Sequence, residues 1–146
     1  MACQFKAIRR VEFSETDMAG IMHFSNYFRF METAENAFFR SLGFSVVANK
    51  TDPPVSFPRV HAECDYKLPL RFENEVEIHL LVTSKKSKSM SYLFIFRNLS
   101  SSPPVEVARG SLTVVCVTEH AGKMSAAPIP KSIADKIDAA PPEMLK

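Results

Sequence analysis

The sequence predicts an α+β domain in which one long apolar helix is covered by a curved antiparallel sheet of about five strands. Apolar side chains recur in steps of three and four early in the chain, which stacks them on one helical face: Tyr27, Met31, Ala34, Phe38 and Leu42. Later segments alternate with a period of two and are joined by turn-length connections, which favours hairpins over parallel strands with helical crossovers. The 146 residues suit a single domain, and no repeat or linker divides them.

The helix carries more apolar surface than one narrow stripe, because Phe28, Phe30, Ala37 and Phe39 widen it. A helix that is apolar over so much of its circumference is normally enclosed by other elements. Ser25 or Asn26 is predicted to cap its first turn, and Gly43 is predicted to end it in the left-handed conformation.

The remaining elements follow in order. A first strand is predicted between Phe5 and Phe13, and a proline-rich loop containing Asn49 is predicted to cross the helix end from Ser45 to Pro58. Further strands are predicted at 60–66, 75–85, 89–98 and 105–118, with Lys85-Lys86-Ser87-Lys88 as a hairpin turn. A short helix is predicted over 131–139, followed by a loose tail over about 140–146.

Composition and charge exclude several classes of protein. The formal net charge of +2 is too small to indicate nucleic acid, and no basic run indicates a membrane surface. The cysteines and histidines are widely spaced, so no metal site is predicted from Cys3, Cys64, Cys116, His61, His79 or His120. Without a signal-like start or a membrane-length apolar run, the cytoplasm is the expected compartment.

The turn before the helix is the strongest candidate for chemistry. Asp17 and Gly20 stand directly upstream of a helix start, where unpaired N–H groups and about half a positive charge suit a developing oxyanion. Gly20 permits a tight turn and close approach by another molecule. The same two residues could form only a turn, which is the commoner role of an Asp-x-x-Gly spacing, and the spacing alone does not establish a catalytic role.

The motif Asp17-x-x-Gly20-Ile21-x-x-Phe24-x-Asn26-Tyr27, leading into the long helix, resembles the hotdog fold and its 4-hydroxybenzoyl-CoA thioesterase family. The resemblance covers nearly the whole chain. It extends through the segments Tyr66-Lys67-Leu68-Pro69, Thr83-Ser84-Lys85-Lys86-Ser87-Lys88-Ser89, Ala108-Arg109-Gly110 and Pro128-Ile129-Pro130.

The resemblance implies hydrolysis of an acyl-CoA thioester, with Asp17 as general base or nucleophile and the backbone N–H of Phe24 polarising the carbonyl. It implies no metal or redox cofactor, since coenzyme A (CoA) is part of the substrate. Family members place the active site between subunits whose sheets join edge to edge, so a homodimer or homotetramer is expected.

Other positions carry over as substrate-binding candidates. His23 stands where the family often has another aromatic, and is expected to shape the pocket or to act directly. Asn26 belongs to the motif, and Glu32 could meet a polar group on the acyl chain or pair with Arg29. The hairpin residues Lys85, Lys86 and Lys88 are expected to meet the phosphates of CoA, or to form only a solvated turn.

The sequence leaves two other functions open. The chain could be a non-catalytic module that binds CoA or acyl carrier protein, in which case Asp17 is only a turn residue. It could also be a hydratase or dehydratase, although the histidine signature usual for those hotdog enzymes is missing from the helix approach. The acyl group, the carrier and the exact role of Asp17 are not determined by the sequence.

Overall fold

A computed structural model describes residues 1–47 and 51–146. Its strands and helices are β1 (Gln4–Arg10), α1 (Asn26–Ser41), β2 (Arg59–Tyr66), β3 (Glu75–Lys85), β4 (Ser89–Asn98), β5 (Val105–Val115), β6 (Val117–His120), β7 (Lys123–Ala126) and α2 (Lys131–Ala134). Short 3-10 helices cover Phe13–Glu15 and Pro142–Leu145. Five strands form an antiparallel sheet in the order β1-β3-β4-β5-β2, which confirms the predicted fold class.

Helix α1 lies against one face of this sheet and provides much of the core. Phe30, Met31 and Phe38 are fully or almost fully buried, together with the inward-facing residues of β3 and β4. The approach is closest at Gly110 in β5, where an added Cβ would lie only 1.9 Å from the methyl carbon of Met31. Glycine at this position therefore lets the helix pack close to the sheet.

The two ends of α1 follow the predictions only in part. Gly43 has a φ of +86° and ends the helix as expected. The predicted cap at the other end was wrong: Ser25 precedes the helix but makes no side-chain cap hydrogen bond. The side chain of Asn26 donates instead to the carbonyl of Glu15, 2.8 Å away, because the preceding loop folds back against the helix start.

Two strand predictions and one helix prediction were too long. The first strand ends at Arg10, because the chain turns there into the 3-10 helix at Phe13–Glu15. The strand predicted over 105–118 breaks at Cys116, and the residues after it pair with β7 as a separate hairpin. The C-terminal helix covers only Lys131–Ala134, since Lys136 and Asp138 exchange backbone hydrogen bonds with Ala2 instead.

The C-terminal segment is also more ordered than predicted. Ala140 is buried and its N–H donates to the carbonyl of Val82 at 2.7 Å. Met144 and Leu145 pack against a small apolar cluster on the outer face of the sheet. The prediction of a loose tail is therefore wrong, since an apolar patch on β3 and β4 gives this segment a surface to cover.

The predicted loop from Ser45 to Pro58 has no helix or strand in its described part, while Asn49 lies outside the described residues. Val55 and Phe57 are buried, and Ser56 forms a β-bridge with Val117. These contacts hold the end of the loop beside β6. In the described part of the chain, no helix is long and apolar enough to cross a membrane.

The sheet has two edge strands that differ in exposure. In β1 half-buried and exposed positions alternate, whereas in β2 six of the eight residues are exposed and Cys64 packs partly buried against the core. Strand β2 therefore leaves a row of unpaired backbone groups at the edge of the sheet and a mostly exposed surface, the usual features of a strand that pairs with another chain.

Candidate active site

The Asp17 turn is stabilised by its own backbone. The N–H of Gly20 donates to the Asp17 carbonyl at 2.9 Å, and the N–H of Asp17 donates to the carbonyl of Ile21 at 3.0 Å. Gly20 has a φ of +78°, which an L-residue rarely adopts, so the turn requires glycine there. The Asp17 Oδ1 accepts the N–H of Ala19 at 2.9 Å, which orients the carboxylate and leaves Oδ2 without a hydrogen bond among the described residues.

The Phe24 loop is tied to the Asp17 turn through one carbonyl group. The N–H of His23 and the side-chain amide of Asn26 both donate to the carbonyl of Glu15, at 2.9 and 2.8 Å. Met22, in the same loop, donates to the carbonyl of Leu70 at 2.7 Å and so anchors the loop to the segment between β2 and β3. These bonds fix where Phe24 lies relative to Asp17.

The amide of Phe24 is available to a ligand. Within residues 1–47 and 51–146, its N–H has no hydrogen-bond acceptor, and the Phe24 side chain is 61% exposed. An unpaired N–H at the start of a helix is a suitable donor to an oxyanion. The carbonyl of Phe24, in contrast, accepts the hydroxyl of Tyr66 at 3.1 Å.

His23 lies beside this loop and points its ring nitrogen back at it. Its Nδ1 is 2.8 Å from the Ser25 hydroxyl and 3.3 Å from the Ser25 N–H. A backbone N–H can only donate, so Nδ1 acts as an acceptor and the proton of the neutral ring lies on Nε2. The ring is therefore a support for the Phe24 loop in this structure.

Asp17 and Phe24 open onto the same cavity, which has a volume of about 510 Å³. Its walls are mainly apolar and aromatic, and are formed by Asp17, Ala19, Ile21, Met22, Phe24, Tyr27, Tyr66, Lys67, Leu68 and Pro69. A second depression of about 450 Å³ lies on the other side of the Asp17 turn and is lined by Phe13, Thr16, Asp17, Met18, Gly20 and Phe72. Asp17 is the residue that borders both.

Two tyrosines form one wall of the larger cavity. Their rings meet edge to face with 4.9 Å between the centroids of Tyr27 and Tyr66. Burial, together with the nearby Cys64 thiol, raises the pKa of each hydroxyl to about 12. Both hydroxyls therefore stay protonated near neutral pH and can donate hydrogen bonds.

The charged rim of the cavity is neutralised locally. Glu106 accepts two hydrogen bonds from Arg109, both at 2.9 Å, and also contacts the ammonium group of Lys67. Hydrogen bonding from Arg109, and then from Lys67, holds the pKa of Glu106 at about 2 against the opposing effect of burial. The charge of Lys67 is thus paired although Lys67 lines the cavity.

The structure brings together some of the predicted site residues but not all. Asp17, Gly20, Phe24, His23 and Asn26 lie in one continuous loop and helix start. Glu32 is exposed on α1 and its carboxylate lies 3.8 Å from Arg59, so the alternative partner Arg29 is not the one it meets.

The lysine hairpin follows the C-terminal end of β3. Strand β3 has 11 residues, so at about 3.3 Å per residue its two ends are about 33 Å apart. The Asp17 turn contacts the segment before the other end of β3, where Arg71 donates to the carbonyl of Gly20 at 3.3 Å. Lys86 and Lys88 are exposed, but the ammonium group of Lys85 donates to the carbonyls of Ala134 and Ile137, at 2.8 and 2.6 Å. Lys85 therefore already binds the C-terminal segment of its own chain.

Sequence reasoning did not identify Tyr66 and Leu68 as cavity residues. Both belong to the segment Tyr66-Lys67-Leu68-Pro69, where the sequence pattern indicates only the end of a strand, about 40 residues away from Phe24. The available signal for a cavity wall was a tyrosine at the last position of a strand, three residues before a proline. Within the described residues, no group of three His, Cys, Asp or Glu side chains could hold a metal ion.

Comparison with known proteins gives a consistent result. Residues 11–137 match the family model of the thioesterase-like superfamily. The chain is 34% identical over 125 residues to a protein of Aquifex aeolicus (strain VF5), covering 86% of this chain and 91% of the relative. It is 28% identical over 121 residues to a 1,4-dihydroxy-2-naphthoyl-CoA hydrolase of Gloeothece citriformis (strain PCC 7424), covering 82% and 83%.

Solved structures of thioesterases have the same fold as this chain. A gentisyl-coenzyme A thioesterase superposes with a TM-score of 0.75 at 31% identity, covering 89% of this chain and 99% of that one. A 4-hydroxybenzoyl-CoA thioesterase from Pseudomonas sp. strain CBS-3 superposes with a TM-score of 0.80 at 17% identity, covering 92% and 99%, which shows the same fold. The chain therefore belongs to the thioesterase-like superfamily and has its hotdog fold.

Proposed function

We propose that this enzyme hydrolyses an acyl-CoA thioester to a carboxylic acid and free CoA. The observation that carries the proposal is that Asp17, which has a carboxylate, and Phe24, which has an unpaired backbone N–H, line the same mainly apolar cavity. Thioester hydrolysis needs a base or nucleophile and a donor for the oxyanion, and a thiolate leaves without needing much protonation.

Two routes are compatible with this arrangement. In the first, Asp17 takes a proton from water as the water oxygen attacks the thioester carbon, and Phe24 N–H stabilises the oxyanion until the C–S bond breaks. In the second, the Asp17 carboxylate attacks the carbon itself, CoA leaves as the thiolate, and water hydrolyses the mixed anhydride. Both routes yield the acid and CoA and require the same two groups.

The lining of the cavity favours an aromatic acyl group. Phe24, Tyr27 and Tyr66 are aromatic residues that line it. Aromatic rings prefer offset or edge-to-face contacts with other rings. The names of the relatives point the same way, since gentisyl-CoA and 1,4-dihydroxy-2-naphthoyl-CoA both carry hydroxylated aryl groups.

The test is turnover of a panel of aryl-CoA and aliphatic acyl-CoA thioesters, measured by thiol release. Wild type should prefer the aryl group, and Asp17→Asn should lose about a hundredfold or more in kcat, because the amide is neither a base nor a nucleophile. Asp138→Asn is a matched control, since that exposed carboxylate also accepts a backbone N–H, at 2.9 Å, but does not line the cavity.

Near-normal turnover by Asp17→Asn would remove Asp17 from the mechanism. Binding of acyl-CoA without any turnover by wild type would instead favour the non-catalytic CoA-binding module.

The proposed assembly is a homodimer or a homotetramer. Strand β2 supports it, because six of the eight residues of this edge strand are exposed and its last residue lines the cavity. Pairing β2 with a second copy would cover the unpaired edge and add a further wall to the site.

A further inference from the structure

Tyr66 makes a contact that the proposed chemistry does not yet use. It is the last residue of β2, and its hydroxyl donates to the carbonyl of Phe24 at 3.1 Å across 42 positions of sequence. The ring of Tyr66 is 45% exposed and rests edge to face on the buried ring of Tyr27. The hydroxyl is thus held by a ring contact on one side and directed at the residue whose N–H is the candidate oxyanion donor.

We infer that Tyr66 is a positioning residue, whose hydroxyl holds the backbone of Phe24 so that its N–H points at the thioester carbonyl. This inference rests on the proposed thioesterase function, because it assigns a role to Tyr66 within that same site.

The hydrogen bonds around Phe24 support this role. The peptide unit before Phe24 contains the N–H and is anchored through its carbonyl, on His23, which accepts the N–H of Asn26 at 3.0 Å. The direction of the N–H also depends on where the Phe24 Cα lies, and the next peptide unit holds that atom. The peptide unit after Phe24 depends on Tyr66, since the other donor to the Phe24 carbonyl in the described chain is the N–H of Tyr27, at a longer 3.4 Å. Side-chain packing adds one local contact, since the mostly exposed Phe24 ring lies 4.6 Å from the His23 ring, centroid to centroid.

The electrostatic state of Tyr66 suits positioning and not proton transfer. Burial of the hydroxyl and the neighbouring Cys64 raise the pKa of Tyr66 to about 12. A group that stays protonated over the working range donates a constant hydrogen bond and adds no titration to the pH profile. A direct role as acid or base would require a pKa much nearer to the working pH.

The test compares Tyr66→Phe with Tyr92→Phe in the full-length protein. Each change removes one hydroxyl from a strand tyrosine and keeps the ring. Tyr92 is fully buried in the core and does not line the cavity, so it controls for the general effect of losing a tyrosine hydroxyl. The measurements are kcat and KM with the best aryl-CoA of the panel, the pH dependence of kcat, and the Phe24 amide signal in a ¹H–¹⁵N spectrum.

Tyr66→Phe should lower kcat about tenfold, less than the hundredfold to thousandfold expected when an oxyanion donor is lost outright. KM should stay within about twofold and the pH profile should keep its shape, because the lost interaction acts mainly in the transition state. The Phe24 amide signal should shift in Tyr66→Phe and stay in place in Tyr92→Phe.

Three results would overturn the inference: an unchanged kcat, a rise in KM at constant kcat, which would make Tyr66 a simple substrate contact, or an unshifted Phe24 amide. Failure of the proposed function is distinguishable from these results. If wild type hydrolyses no thioester, that function is wrong, while the Phe24 amide signal still reports whether Tyr66 holds this loop.

Discussion

Replacing Arg59 with Met should destabilise the fold strongly, because it would leave a buried carboxylate without its partner. Glu35 lies on α1 with 0% of its surface exposed, and its Oε1 accepts a hydrogen bond from Arg59 Nη2 at 2.6 Å. The other carboxylate oxygen has no partner at full hydrogen-bond distance among the described residues, but the nearby Tyr92 hydroxyl adds to the effect of Arg59 in lowering the pKa of Glu35. Arg59 also donates to the carbonyl of Phe57 at 3.1 Å, so it connects the helix, β2 and the loop before it.

The expected loss can be estimated from the burial of the two partners. Removing one member of a buried ion pair typically costs about 3–5 kcal/mol, because the remaining charge is left desolvated. The Arg59 side chain is 29% exposed, so solvent screens part of the pair. We therefore expect a loss at the lower end of that range, about 3 kcal/mol at pH 8.

The loss should depend on pH in a defined direction. Burial raises the pKa of Glu35 above its usual value, and the charge and hydrogen bond of Arg59 oppose that rise. A raised pKa means that the folded state binds the proton more tightly, so this contribution to stability is present at low pH and is lost as the pH rises through the folded pKa. Removing Arg59 raises that pKa further, so the deficit of Arg59→Met should be smaller at pH 5 than at pH 8.

The measurement is urea unfolding followed by far-ultraviolet circular dichroism, since the chain has no tryptophan. Protein concentration must be the same for all variants, because assembly contributes to apparent stability. Glu32→Gln is the matched control: its carboxylate lies 3.8 Å from the same guanidinium but is 63% exposed, so its loss should cost under about 0.5 kcal/mol. A deficit below about 1 kcal/mol for Arg59→Met, or one that grows at pH 5, would refute the reasoning.

Two further predictions concern the hairpin and the assembly. Replacing Lys86 and Lys88 with Ala should raise KM for acyl-CoA and leave kcat mostly intact. The same variant should change little toward an acyl-pantetheine that lacks the nucleotide. Equal effects on both substrates would place the phosphate site elsewhere. Lys85→Ala is the control and should instead lower the free energy of unfolding by about 1 kcal/mol, because it releases two carbonyls of the C-terminal segment. Light scattering after gel filtration should find a dimer or tetramer at micromolar concentration, and a fully active monomer would contradict the proposed interface.

The central elements were predictable because local sequence patterns specify them. The bounds predicted for β3 and β4 match the structure, since one face of each strand carries an apolar residue at every second position and a polar turn joins the strands. The helical face was predicted for the same reason, and Gly43 ends the helix because few other residues tolerate its φ. These features depend on neighbours only a few positions apart.

The features that were predicted wrongly depend on contacts distant in sequence. The strand over 105–118 is continuous in pattern, but Cys116 donates its N–H to the carbonyl of Lys88 and accepts one from Ala127, which divides the strand. The tail from 140 is ordered by contact with Leu81 and Ile95, far away in sequence. In the same way, the motif predicted the Asp17 turn, whereas the bond from Tyr66 to Phe24 exists only once β2 lies beside α1.

The candidate site has two parts: a loop whose geometry is set within one subunit, and a wall that lies on the edge strand of the sheet. Asp17 and Phe24 belong to one loop, and the Glu15 carbonyl joins its two arms, so their relative position is set within the subunit. The wall that begins at Tyr66 instead starts on β2, the open edge of the sheet. If a second copy pairs with β2, it will restrain the strand that carries the Tyr66 hydroxyl. Assembly would then act on the orientation of Phe24, which links the proposed dimer to the proposed chemistry through one hydrogen bond.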